Sequence, residues 1–149
     1  MQAWPVQHPA SFVIVTLAVF WIVVSLFVSY GGGWHVLARR FRFNSEFTGK
    51  VFRWQSAHMR SVARYHNCVS IGANLEGLYV APFFPFRIAH PPLFIPWSEV
   101  SYTRKKIFFS QMFCFELGRE HAIPFWVGKN LGEQLQQAAG IAWPAESLG

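Results

Sequence analysis

From Ser11 to Tyr30 the chain reads SFVIVTLAVFWIVVSLFVSY, with no charged residue and no proline. At 1.5 Å per residue, about 20 helical residues span about 30 Å, the thickness of a bilayer's hydrocarbon core. The run is too uniformly apolar to be one face of a helix on a soluble core. It reads as a single transmembrane helix, and it limits what the remainder can be. The expected layout is an extracytoplasmic tail over 1–10, a membrane helix over 11–33, a juxtamembrane segment over 34–49, a domain over 50–140 and a tail over 141–149. About 100 residues follow the span, enough for one compact domain but not two.

Composition narrows the function. The net charge is +6, yet only 13% of residues are charged and 18% are aromatic, with 16 Phe and 7 Trp. That is too apolar for a nucleic-acid-binding tail and too aromatic for a disordered segment, so no nucleic-acid partner is expected. There is no Asp. A carboxylate dyad, a Ser-His-Asp triad or a Ca²⁺ loop would have to be built from seven Glu. No nucleophile, base and orienting group converge, so neither an enzyme nor a small-molecule substrate is expected. Cys68 and Cys114 form no CxxC and read as buried free thiols. His66 and Cys68 share a strand face, with His90, Cys114 and His121 further on, but two ligands do not close a tetrahedral zinc site. No metal or cofactor is expected. Glu116 and His121 are expected to sit opposite each other in a hairpin.

The flanks of the span suggest its orientation. No Lys or Arg precedes it, whereas His35, Arg39, Arg40 and Arg42 follow it. Positive charge marks the cytoplasmic end, so the expected placement is the inner (cytoplasmic) membrane, single-pass, N-terminus outside and domain inside. Trp4 and Trp34 suit the two headgroup layers. Ser25, Ser29 and Gly33 lie four residues apart on one helix face. They are either a surface for close packing against another membrane helix or an accident of small residues near an interface. Gly31 to Gly33 is expected to loosen the exit. In the following GWHVLARRFR, Trp34, Leu37, Ala38 and Phe41 share one face, and His35 and the arginines cover the rest. This short helix either lies on the membrane surface with its arginines toward anionic headgroups, or closes over the domain.

From Lys50 the period shortens to that of strands. Strands are expected at Val51–Ala57, Ala63–Ile71 and Gly77–Ala81, briefly at Phe86–Ala89, and along Leu93–Phe109 with its start at an edge or bulge because of Pro96. A last hairpin joins Met112–Leu117 to His121–Val127 across Gly118-Arg119-Glu120. Lys129–Ala139 is helical, with Leu131, Leu135 and Ala138 or Ala139 as its apolar stripe. The fold class is membrane-anchored, mainly β: one N-terminal transmembrane helix, then a small barrel or sandwich of about seven strands with a C-terminal helix.

Gly77-Leu78-Tyr79-Val80 and Ile95-Pro96-Trp97-Ser98-Glu99-Val100, in this order, resemble the middle of pleckstrin-homology-like (PH-like) or GRAM-like domains. The likeness covers roughly Lys50 to Ala139, and it implies a barrel plugged by its C-terminal helix. The anchor, the juxtamembrane piece and the domain together resemble small bacterial membrane proteins. Many PH-like domains bind phosphoinositides through basic residues around their first two strands. Lys50, Arg53, Arg60 and Arg64 occupy that region here, with a spacing that departs from the usual lipid-binding pattern. Nonspecific attraction to an anionic leaflet, about 1 kcal/mol per basic residue near the surface, is the alternative to a merely solvated positive face. Arg104-Lys105-Lys106 reads as protection of an edge strand, or as a partner contact.

Two functions follow. The first is a non-catalytic accessory or structural subunit of a larger integral membrane complex of respiratory, photosynthetic or transport type. The second is a membrane-tethered module that binds anionic lipid or a peptide.

Overall fold

The computed structural model describes residues 9–60, 63–83 and 86–147. Trp4 lies outside them. Helix α1, Pro9–Gly32, starts on a proline, whose missing N–H costs a helix nothing at its first position. It is long and apolar enough to cross a membrane. Its first half is exposed all round, whereas Ser25, Ser29 and Gly32 are buried. Gly31 and Gly32 do not loosen the exit, because the helix runs through both. Only Gly33 breaks it, at φ 85°, and helix α2, Trp34–Phe41, begins at once. The break requires glycine: a left-handed backbone is strained for other residues, and a Cβ here would lie 2.9 Å from Ile123 Cδ1.

Seven strands follow, all antiparallel: β1 Lys50–Met59, β2 Ala63–Ala73, β3 Gly77–Pro82, β4 Leu93–Pro96, β5 Val100–Ile107, β6 Ser110–Leu117 and β7 Ile123–Gly128. They form one curled sheet, a half-barrel, in the order β4-β3-β2-β1-β7-β6-β5. The β1–β2 register shifts twice, between Phe52 and Gln55 and between Gln55 and Ala57. Trp54 and Asn67 there take positive φ, 58° and 50°. Such bulges sharpen twist, which suits the longest pair of a sheet that must curl. Helix α3, Lys129–Ala139, packs against β2, β6 and β7.

Two expected strands take another form. Phe86–Ile88 is a 3₁₀ turn between proline-rich flanks rather than a strand. Leu93–Phe109 is two strands, not one. The 3₁₀ turn Trp97–Glu99 separates β4, at one edge of the sheet, from β5, at the other. Pro96 caps that turn, and Trp97 Nε1 ties it down by donating to the Asn74 carbonyl at 2.8 Å. α3 lies where the sequence places it, and so does the last hairpin, except that its second strand starts at Ile123 and leaves His121 in the turn.

The core fills the concave side. Met59, Ile71, Leu78, Leu93, Ile95, Phe113, Phe115, Leu117, Ile123 and Phe125 are fully buried there, closed over by Leu131, Leu135 and Ala139 of α3. Trp34, Leu37 and Phe41 of α2 belong to the same cluster. Of the two placements open to the amphipathic segment, it takes the domain. The domain's core therefore begins at Trp34, not at residue 50. The C-terminal segment is likewise more than a tail. Trp143 packs on Trp97, Tyr102 and Phe115, at ring separations of 5.4, 5.0 and 5.7 Å. Glu146 then forms a parallel bridge with Tyr102 on the β5 edge. The opposite edge is covered by an Arg42–Leu93 bridge and by Phe43 N–H donating to the Pro92 carbonyl at 2.8 Å. Both edges of the open sheet are thus partly occupied, which blunts pairing with a second molecule.

Candidate functional site

Among the described residues, two with unpaired buried polar atoms, Tyr65 and His90, line a cleft of about 370 Å³ between α1 and the domain. Trp21, Val24 and Val28 of α1 form one wall. Tyr65 and Cys68 of β2, with Phe86 and His90 of the loop after β3, form the other. The loop is pinned at three points, two on α1 and one on α2. Phe86 packs on Trp21 at 4.7 Å. Ser29 Oγ donates to the Ala89 carbonyl at 2.8 Å. Trp34 Nε1 donates to the Pro91 carbonyl at 2.9 Å. The proline pair Pro91-Pro92 favours the extended backbone that brings these carbonyls to the helix.

His90 is 1% exposed and Tyr65 5%. Among the described residues, neither ring nitrogen of His90 and not the Tyr65 hydroxyl has a hydrogen-bond partner. The rings meet edge-on at 5.7 Å, and Trp34 lies 5.1 Å from His90. Burial lowers the His90 pKa to about 4, with the nearby Phe86 carbonyl pulling weakly the other way. Burial also raises the Tyr65 hydroxyl well above its usual range. Both groups are therefore neutral at pH 7. Arg64 and His66 are exposed beside them at the rim. Burial, with Arg64 and His66 adding to it, lowers the pKa of nearby His58.

The stripe Ser25, Ser29 and Gly33 is buried, but against this chain's own domain. Ser29 reaches Ala89, Ser25 lines the cleft, and Gly33 faces Ile123 and Arg60. Trp34 is corrected outright. It is fully buried in the core rather than set in a headgroup layer, because its indole N–H finds the Pro91 carbonyl.

The other basic residues do not form one patch. Arg39 and Arg42 are exposed. Arg40 lies 3.6 Å from Glu99 and 3.8 Å from Glu120. Lys50 sits over the Phe52 ring at 5.6 Å. Arg60 lies beside the helix break and Arg64 at the cleft rim. Arg53 faces a second cavity of about 470 Å³ on the sheet's outer side, together with Arg87, Glu46, Phe47 and Tyr79.

Arg104, Lys105 and Lys106 lie exposed on β5, an edge strand as expected. Arg104 covers the Phe113 ring at 5.1 Å. The hairpin beyond them is unusual. Ile107 pairs with Ser110, leaving a two-residue turn of Phe108 and Phe109 at φ 47° and 68°. These side chains are 93% and 95% exposed. Two-residue hairpin turns with positive φ at both positions favour Asn-Gly. The expected strand Leu93–Phe109 takes both phenylalanines as its last residues, whereas the turn begins at Phe108. The signal was present as two adjacent phenylalanines directly after a basic run.

Glu116 sits opposite Pro124, and His121 falls in the turn, so the two are not a cross-strand pair. Cys68 and Cys114 are free thiols whose pKa burial raises, but only Cys114 is buried as expected, and Cys68 is half-buried. No group of three His, Cys, Asp or Glu able to hold a metal ion occurs among the described residues. Comparison with protein-family models, with curated proteins and with solved structures finds no match to this chain.

Proposed function

We propose that this chain is a single-pass, non-catalytic subunit of a larger integral membrane assembly. In this reading α1 crosses the inner membrane with its N-terminus outside. The half-barrel, a PH-like module, meets the assembly's cytoplasmic surface. The apolar girth of α1 favours the bilayer, and Arg39, Arg40 and Arg42 just beyond it favour this orientation. Seven strands and a closing C-terminal helix are consistent with the PH-like resemblance.

The observation that carries a protein partner is the Phe108–Phe109 tip. Left-handed backbone costs a non-glycine residue about 1–2 kcal/mol, and two exposed phenylalanine rings add apolar surface in water. A turn so ill-suited to a free surface suits one that is covered. The tip lies at the end of β6 opposite the Gly118 turn, and that turn packs near α2. It therefore faces away from the root of α1.

The test is purification of the native protein in mild detergent beside the variant Phe108→Asn/Phe109→Gly. Wild type should migrate with stoichiometric membrane proteins that the variant loses while staying folded. Migration of wild type as a free monomer at every detergent level would refute the reading.

A tethered module for anionic ligands is the second reading, and the outer cavity with Arg53 and Arg87 favours it. Salt-sensitive binding of the domain from Gly33 onward to anionic vesicles, lost in Arg53→Ala/Arg87→Ala, would support it.

A further inference from the structure

On the reading that α1 crosses the bilayer, we propose that the cleft between α1 and β2 binds a carbonyl-bearing lipid, its polar end held by Tyr65 and His90. The argument begins with the unpaired atoms. Each buried polar group without a partner costs about 1–3 kcal/mol, and such groups are rare in folded chains. Among the described residues the Tyr65 hydroxyl and both His90 nitrogens lack a well-formed hydrogen bond, the Phe86 carbonyl making only a weak contact with His90, and both residues line one cavity.

What they can bind follows from their chemistry. The phenol offers a proton. The neutral imidazole offers one proton and one lone pair. Two neutral donors converging in an apolar wall fit a carbonyl oxygen, which accepts both. They do not fit a bare anion, because among the described residues lining the cleft the basic ones, Arg64 and His66, are exposed at its rim.

The rest of the cleft is apolar. Trp21 and Phe86 offer ring faces, and Val24 and Val28 offer methyl groups. A volume of about 370 Å³ is near the lower end for ligand sites, so it takes a head and the first part of a tail. The route in is lateral. Trp21 and Val24 are each 40% exposed, and their outer surface is continuous with Phe20 and Phe27 at 66% and 74%. A tail can therefore leave the cleft along α1 into the acyl layer. Two bilayer components share this chemistry, the ester carbonyl of a glycerolipid and the ring carbonyl of a quinone.

The test uses the full chain in detergent and native mass spectrometry, with two probes added separately: a short-tailed benzoquinone and dioctanoyl phosphatidylglycerol. The expected result is a saturable one-to-one adduct with one probe, and which one identifies the source. Tyr65→Phe and His90→Leu should each weaken it about tenfold, the effect of one hydrogen bond. Val28→Trp, which fills the cleft from the helix side and leaves the polar pair intact, should abolish it. If His90→Leu fails to fold, Val28→Trp decides. Absence of an adduct with either probe, or adducts of equal strength in folded variants, would overturn the site. Alkaline carbonate extraction of membranes runs in parallel. Release of the protein would overturn the membrane reading and the site together, whereas retention without an adduct overturns the site alone.

Discussion

Trp34 joins the apolar helix to the half-barrel, and its substitution tests that joint most directly. The side chain is fully buried, donates to the Pro91 carbonyl at 2.9 Å, and sets its ring edge-on to Tyr65 at 5.7 Å and to His90 at 5.1 Å. Trp34→Ala removes the packing and opens a cavity, a loss of about 3–5 kcal/mol. Trp34→Phe keeps most of the apolar contact but leaves the Pro91 carbonyl unpaired, a loss of about 1–3 kcal/mol. In a domain of about 100 residues each kcal/mol moves the melting midpoint by about 4–8 °C. Trp34→Ala should therefore lower it by about 12 °C or more, and Trp34→Phe by a smaller amount, about 4 °C or more. Thermal unfolding of the full chain in detergent, followed by near-ultraviolet circular dichroism, reads the shift. Ile141→Ala, at a fully exposed position, serves as the control and should stay within about 0.5 kcal/mol of wild type. If Trp34→Ala melts with the control, Trp34 is not in the core and the docking of α2 on the sheet is wrong.

Gly132→Ala should destabilise by about 1–3 kcal/mol in chemical denaturation. Helix propensity alone would favour alanine by about 1 kcal/mol, but its Cβ would run into the Phe113 ring, itself stacked on Tyr102 at 5.8 Å. Phe108→Asn/Phe109→Gly should raise stability by about 2 kcal/mol, because it relieves two left-handed non-glycine residues, and an unchanged midpoint would show the turn to be unstrained. For His90, the folded pKa of about 4 lies below the unfolded 6.5, so the unfolded chain binds more protons and stability falls as pH drops from about 6.5 to about 4. That loss totals roughly 3 kcal/mol and should be missing from the pH dependence of His90→Leu.

Much of this architecture is legible in the residues. Uniform apolarity marks α1, alternation marks much of β2, the Gly118-Arg119-Glu120 break marks the last hairpin, and the Leu131–Leu135 spacing marks α3. What is not legible depends on contacts distant in sequence. Nothing local says that Trp97–Glu99 carries the chain from one sheet edge to the other, since Leu93–Phe109 is strand-like throughout. Trp34 has the composition of an interfacial residue, and only the Pro91 carbonyl, far along the chain, makes burial affordable for its N–H. The cleft is hidden for the same reason. Tyr65 reads as one step in an alternation and His90 as a spare ligand until the loop folds back on α1. Phe86–Ile88 is strand-like in sequence, yet Phe86 meets Trp21 of α1 rather than a neighbouring strand.

The absence of slack between α1 and α2 has a mechanical result. One glycine separates the helices, and Gly32 is so close to Ala63 that a Cβ there would lie 2.7 Å from the Ala63 Cβ. The domain cannot swivel on its stalk. A strand the length of β6 is about 26 Å, so rocking α1 by about 10° would sweep the far hairpin sideways by about 5 Å. Anything seated on that hairpin would register how the stalk leans.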